Sequence, residues 1–417
     1  MRFFHIGDLH FGKLLHSVSM VEKDQPYWVE HFLDKVDEYA PDAVVISGDI
    51  YDRQVPSKEA VALFNHMLTE LAKRDRTVIV ISGNHDSGVR LSFAGDILSE
   101  QKIHIAGEVS SKLKKVTLSD TYGEVDFWMM PFLYPRIVAD KTVLDRDDIT
   151  GYGQAVRELL AVQEIDESRR NVIVVHQNVI SGSDKPQHSE SESIVGGLGE
   201  VDASLFDKFE YAAMGHIHNA QRMGRNSVRY SGCPMYYDFS EANRKKFITM
   251  VDIGAKGEEP VITEIEVPLL HRMKVLSGTF DEIINQARML ENPEDYHIQA
   301  RVSDRHFPVG ATEKMRSILG DSLINVVRDK NAKDKIDASY GTASPGERKD
   351  LPMEQLFESF YSEQNSGEDM EAIHKSFLMK VIEQQARSGA CYYDEKADVP
   401  EGETEEIIAM LLKEMGY

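Results

Sequence analysis

Arg2-Phe3-Phe4-His5-Ile6-Gly7-Asp8-Leu9-His10 opens the chain. A strand-length apolar run, Phe3–Ile6, passes through a glycine into two ligand-type side chains two residues apart. The layout recurs. Ala43–Ile46 runs into Gly48-Asp49-Ile50-Tyr51-Asp52, and Val78–Ile81 into Gly83-Asn84-His85-Asp86. Val172–Val175 ends at His176, and Tyr211–Met214 at Gly215-His216-Ile217-His218. Helical patterns lie between these runs. Trp28, Phe32, Val36 and Tyr39 are spaced for one helix face, and Val61, Phe64, Leu68 and Leu71 for another. Ser57, after Pro56, is a candidate N-cap. Alternating strands and helices imply a layered α/β domain. In open α/β sheets ligands bind at the carboxyl ends of the strands, so the five polar motifs converge on one place.

The rest of the chain follows from changes of pattern. A β-rich stretch over about 227–268 closes the first domain, 1–268. Residues 269–330 hold strand-like segments around two short helical patterns, 280–290 and 311–319, and read as a small α+β capping domain. A polar linker follows over 331–350. Residues 351–417 carry amphipathic helical patterns, with Phe357, Phe360, Phe377 and Ile382 the largest apolar contributors.

With 417 residues, the chain is long enough for two or three domains. Its apolar runs are strand-sized, which excludes a transmembrane span. The N-terminus lacks the long apolar stretch of a secretion signal. Two cysteines far apart in sequence, Cys233 and Cys391, suggest no disulfide framework, and a reducing cytoplasm fits. The net charge of −23 argues, taken alone, against a nucleic-acid binder. The charge is uneven, however. From Glu354 to Tyr417 there are 15 acidic and 5 basic residues, a net −10 from the tail alone. Bound cations also reverse the field of a site built from carboxylates.

Asp, Asn and His together are oxygen and imidazole donors, suited to manganese, iron or zinc. Asp8 and His10 are two apart in extended chain, so both side chains point the same way, and His216 and His218 repeat the arrangement. Glycines before Asp49, Asn84 and His216 permit tight turns. No thiolate is at hand for a structural zinc site. Seven candidate ligands exceed the needs of one ion and suit two ions sharing a carboxylate. Two ions about 3.5–4 Å apart can clamp the attacking and leaving oxygens of a phosphoryl centre. A lone Gly-Asp is usually a turn, and Asp52 or Asp86 alone could be a helix cap. Five such motifs, each at a strand end, are not explained that way.

The ordered set resembles the calcineurin-like metallophosphoesterases. The resemblance implies their layered sandwich, with one divalent ion held by Asp8, His10, Asp49 and His218. It implies a second held by Asp49, Asn84, His176 and His216, with Asp49 bridging. His85 then acts on the scissile phosphate and leaving oxygen. An acidic residue, Asp52 or Asp86, supports it, with Asp52 favoured. Within that superfamily the chain is most similar to the SbcD-type nucleases. The features are Met1 to Gly12, Gly83-Asn84-His85-Asp86-Ser87 with Arg90, and Gly215-His216-Ile217-His218 followed by Tyr230-Ser231-Gly232-Cys233-Pro234. The layout of capping domain, linker and C-terminal helices also matches.

What this implies is a Mn²⁺-dependent DNA nuclease of repair and recombination. It is a 3′-to-5′ exonuclease on duplex ends and an endonuclease on single strands. It forms a homodimer, for which the 57–73 helix is a candidate. Its C-terminal helices grip the coiled coil of an SbcC-like SMC-type ATPase. Arg90, Arg222, Arg225, Arg229 and the Arg244-Lys245-Lys246 run are available bases, and the DNA-contacting residues stay open. The Ser- and Glu-rich 181–193 stretch receives no DNA contact. One rival is a cytoplasmic phosphatase or small-molecule phosphodiesterase on the same site, which needs no extra domains. The other is a docking subunit with a relic site, which needs no complete ligand set.

Overall fold

The computed structural model describes residues 1–135, 151–189, 199–304, 307–329 and Lys375. The linker, the helical patterns expected over 351–417 and the end of the 181–193 stretch lie outside the described residues. Residues Met1–Val302 with Val309–Val327 form one compact unit. No helix among the described residues is long and apolar enough to cross a membrane.

The chain starts one sheet, builds a second, and returns to the first. β1 (Arg2–Ile6), β2 (Ala43–Ile46), β3 (Thr77–Ile81) and β4 (Ile103–Ala106) lie side by side and parallel. Helices α1 (Asp24–Tyr39) and α2 (Lys58–Lys73) are the crossovers between the first three. β5 (Lys114–Asp120), β6 (Gly123–Met130), β7 (Arg170–His176), β8 (Tyr211–Gly215), β9 (Gln221–Met223) and β10 (Arg225–Tyr230) form the second six-stranded sheet, in the order β9-β10-β8-β7-β6-β5. Helix α3 (Tyr152–Ala161) lies between β6 and β7 in the chain. β11 (Phe247–Asp252) then pairs antiparallel with β1, and β12 (Val261–Glu266) with β11.

Strand periodicity accounts for the layers. Alternate residues of a strand face opposite sides. Phe4, Ile6, Val44, Ile46, Val78 and Val80 pack with Trp28, Phe32, Phe64 and Leu71 of α1 and α2. Their neighbours Phe3, Val45, Ile79 and Ile81 meet Phe127, Val172, Val174 and Tyr211 of the second sheet. The Phe3 and Phe127 rings meet edge to face at 5.4 Å. The outer face of the second sheet, with Ile173, Val175 and Met214, is covered by Ala155, Val156 and Leu159 of α3. The fold is thus a helix–sheet–sheet–helix sandwich. Central strands buried on both faces read as unbroken apolar runs, which is why five of them stood out in the sequence.

The Ser57 hydroxyl accepts from the Ala60 amide at 3.2 Å and caps α2. One detail of the α2 face differs from the sequence reading. Val61 is 44% exposed, and Leu63 and Met67 point inward instead. Beyond Pro268, β13 (Arg272–Gly278), β14 (Tyr296–Val302) and β15 (Leu323–Arg328) form a separate three-stranded sheet. It packs against α4 (Phe280–Met289) and α5 (Ala311–Leu319) through Leu276, Ile283, Ile298, Met315 and Leu319.

Candidate metal centre

All seven candidate ligands come together at the strand ends. Asp8, His10 and His218 form one group whose donor atoms lie within 4.8 Å of one another. Asp8, Asp49 and His176 form another. Asn84 joins the second group, its Oδ1 lying 3.1 Å from His176 Nε2 and 3.0 Å from His216 Nδ1. Asp49 Oδ2 stands between the two halves, 3.7 Å from His10 Nε2 and 3.3 Å from His176 Nε2. Asp8, His10, Asp49, His176 and His218 are nearly inaccessible.

The backbone at these positions is not extended, contrary to the sequence reading. Asp8, His10 and Asp49 have φ of 52°, 43° and 49°, and His216 has φ of 99°. Left-handed conformations in non-glycine residues store strain and cluster at functional sites. The turns are held from outside. The His216 amide donates to Asp8 Oδ1 at 2.9 Å, and the His85 amide to Asp49 Oδ1 at 2.9 Å. The glycines before the ligands act in two ways. Gly48 does turn left-handed, at φ 100°. Gly83 instead provides room, since a Cβ there would sit 2.1 Å from Asp49 Oδ1.

Whether these residues suit a cation can be judged from the hydrogen bonds of His176. Its Nδ1 faces the Ser47 carbonyl at 2.8 Å. A carbonyl only accepts, so Nδ1 carries a proton, and in the neutral form of the ring the Nε2 lone pair aims inward. That lone pair meets two further oxygen acceptors, Asp49 Oδ2 and Asn84 Oδ1. Electron pairs so directed are stable only around a positive charge. Burial opposes that charge on His176, but the Asp49 carboxylate outweighs it and lifts His176 to about 9. A proton takes the position that a metal ion would take. Burial holds His10 well below its usual range and His216 near 3, so both are neutral donors. Burial also raises Asp8 to about 6. Two carboxylates, an amide oxygen and four imidazoles fit divalent transition-metal ions.

His85 is partly exposed at the rim, and its Nδ1 lies 3.0 Å from the main-chain carbonyl of Asp52. The Asp52 main-chain carbonyl therefore orients His85, and the Asp52 carboxylate stands within 4.8 Å of donor atoms of His10 and His85. That carboxylate pairs with Lys13 at 2.8 Å. Asp86 takes no part at His85. It accepts the amides of Gly83, Ile50 and Tyr51 at 2.9, 3.1 and 3.0 Å and ties two ligand loops together.

One part of the site was not found from sequence. Glu241 is fully buried, and its Oε1 lies 3.6 Å from His218 Nδ1. Lys246 bonds Glu241 Oε2 at 2.6 Å and Cys233 Sγ at 2.9 Å. Burial opposes ionisation of Glu241, but Lys246 and His218 hold it near 2. Carboxylates behind metal-ligating histidines fix ring orientation. Lys246 is thus unavailable to DNA. Arg225 and Arg229 are likewise engaged, with the Phe206 and Phe209 carbonyls and with Glu264.

The calcineurin-like phosphoesterase family pattern matches residues 1–220. A second family pattern, SbcD_C, described as the type 5 capsule protein repressor C-terminal domain, matches residues 270–365. Among solved structures the chain is similar to a dimetal phosphatase from Danio rerio, at 12% identity and TM-score 0.39, covering 64% of this chain and 98% of that one. It is similar to the calcineurin-like phosphoesterase YfkN from Bacillus subtilis, at 12% identity and TM-score 0.34, covering 68% and 94%. It is also similar to the phosphoesterase Yfce from E. coli, at 13% identity and TM-score 0.25, covering 64% and 100%.

Proposed function

The chain belongs to the calcineurin-like phosphoesterase family, and from that premise we propose that it is a two-metal DNA nuclease of the SbcD type. That it is a metal-dependent hydrolase follows from the family itself. The observation that carries the finer reading is the two-lobed donor cluster facing Asp49, joined in one chain to the SbcD_C match. Divalent ions held there, Mn²⁺ in this reading, supply hydroxide at neutral pH and neutralise charge on the phosphate.

The protein's own residues do the rest. Asp8, His10, Asp49 and His218 hold one ion, and Asp49, Asn84, His176 and His216 the other. The Asp52 carbonyl fixes the His85 proton on Nδ1, which leaves Nε2 as the nitrogen that exchanges a proton with the leaving oxygen. DNA is the substrate, cleaved 3′ to 5′ from duplex ends and endonucleolytically in single strands. An SbcC-like ATPase is the partner, gripped by the 351–417 region, in cytoplasmic DNA repair. The reading includes a homodimer. The 57–73 helix stays the candidate surface: its inward residues pack on the sheet, while Val61 is 44% exposed, and Val55, Val89, Phe93 and Ile97 are further exposed apolar side chains nearby in sequence.

The test uses the purified protein with Mn²⁺ on duplex DNA, on single strands and on p-nitrophenyl diesters. Cleavage of DNA is expected, and His85→Gln should keep its metals while losing about 10²–10⁴-fold in turnover. Hydrolysis of the small esters without any cleavage of DNA would overturn the nuclease reading. Unchanged turnover in His85→Gln would overturn the role of His85.

A further inference from the structure

A second convergence of ligand-type side chains lies where α1 meets the three-stranded sheet. Asp24 starts α1, His271 precedes β13, and His297 is in β14. Asp24 Oδ1 is 2.8 Å from His271 Nδ1 and 3.3 Å from His297 Nε2. The two imidazole rings are 4.4 Å apart. The three donor atoms lie within 4.8 Å of one another, and none belongs to the donor set around Asp49. Asp24 and His297 are buried, with 6% exposure each.

The surroundings favour a cation. A cavity of about 410 Å³ opens onto all three residues and is also lined by three acids, Glu22, Glu294 and Asp321, against one base, Lys23. The geometry has the right scale. Bonds of about 2.0–2.1 Å to imidazole and carboxylate, at tetrahedral angles, require ligand atoms about 3.3 Å apart. Two imidazoles and one carboxylate suit borderline metals, and sulfur is not needed. Three protein ligands beside an open cavity leave a fourth position for water.

We propose that Asp24, His271 and His297 bind one divalent transition-metal ion of the zinc class, independent of the phosphoesterase centre. The ion joins residues widely separated in sequence and staples α1 to β13 and β14. Its ligands stand on a helix terminus and a sheet, so it acts on the attachment of that sheet and not on the reaction.

The experiment counts metal in the full-length protein. The chain is stripped with chelator, reloaded with Co²⁺ as the probe, dialysed and analysed by elemental mass spectrometry. Three equivalents are expected in the parent and one fewer in His271→Ala and in His297→Ala. Asp49→Ala should keep one. This pattern separates the two sites: a parent holding a single ion that survives Asp49→Ala would sink the two-metal reading and leave this one standing. Mn²⁺-dependent hydrolysis of small diesters should be unchanged in His271→Ala. If His297→Ala does not fold, His271→Gln carries the test, because that side chain is at the cavity wall and 22% exposed. Equal metal content in the parent and in folded His271 variants would overturn the proposal.

Discussion

The two sheets of the sandwich have almost the same architecture and give the metal centre different chemistry. From the ends of β1, β2 and β3 the first sheet contributes Asp8, Asp49 and Asn84, all oxygen donors, with His10 the one imidazole. From the ends of β7 and β8 the second contributes His176, His216 and His218, all imidazoles. Neither sheet holds a complete site. The oxygen donors supply the charge that attracts cations, while the imidazoles supply neutral bonds and set geometry. A mixed donor set that exists only when two sheets dock makes the seam between them part of the centre.

The largest effect expected comes from breaking the contribution of the first sheet. Asp49→Ala should lose both ions of this centre, a fall from three equivalents to the one expected at Asp24, since its carboxylate faces both halves. His216→Ala, from the second sheet, should lose one ion of this centre and leave two equivalents in all. Elemental analysis of both variants decides this, and full occupancy in Asp49→Ala would contradict the bridging assignment.

The seam itself is the next target. Phe127 is fully buried against Phe3 between the sheets. Truncating such a ring to alanine costs about 3–5 kcal/mol. Phe127→Ala should therefore lose stability by that amount in urea unfolding, and should bind Mn²⁺ more weakly although it touches no ligand. Metal affinity equal to that of the parent would show that the seam and the centre are uncoupled.

The smallest effect lies at the far end of the sandwich. Asp120 of the second sheet accepts two hydrogen bonds from Arg170, at 3.0 and 2.5 Å, and pairs with the Met1 amino group beside β1. The Arg170 bonds outweigh partial burial and hold the Asp120 carboxyl well below its usual range. A depressed carboxyl contributes stability above its unfolded value, about 3.9, and loses it as pH falls through the folded value. Asp120→Asn should cost about 1.5–3 kcal/mol at pH 7, because Arg170 loses its carboxylate partner and keeps only the Gly123 and Gly254 carbonyls. The gap between variant and parent should narrow below about pH 4. A gap independent of pH would assign Asp120 a purely steric role.

Most of the fold was legible because parallel central strands must be apolar throughout, and these five ended in recognisable polar motifs. The β5–β6 hairpin was not. Lys114–Asp120 is an edge strand with two apolar residues in seven, and an edge is half solvated. The convergence of the seven candidate ligands was legible because the residue types carry their chemistry. Their backbone was not, since Asp8 and His10 take left-handed angles that tertiary bonds impose. Glu241 and Lys246 stayed hidden for a different reason. Glu241-Ala242-Asn243-Arg244-Lys245-Lys246 reads as a solvated charge run, and only folding shows that its two ends turn inward and neutralise each other. The Asp52 carbonyl at His85 leaves no trace in side-chain identity at all.

The return of the chain to its first sheet has a consequence in time. β1 finds its antiparallel neighbour, β11, about 250 residues later, as the Arg2–Asp252 register shows. At about 5–20 residues per second, a ribosome needs roughly 10–50 s to make that stretch. Through that interval one edge of β1 is unpaired while β2 and β3 are already available on its other side. Asp8, the earliest ligand made, waits for His216 and His218 as well. Closure of the first sheet is therefore bound to late events in synthesis, because its β1–β11 pairing joins residues about 250 apart in the chain.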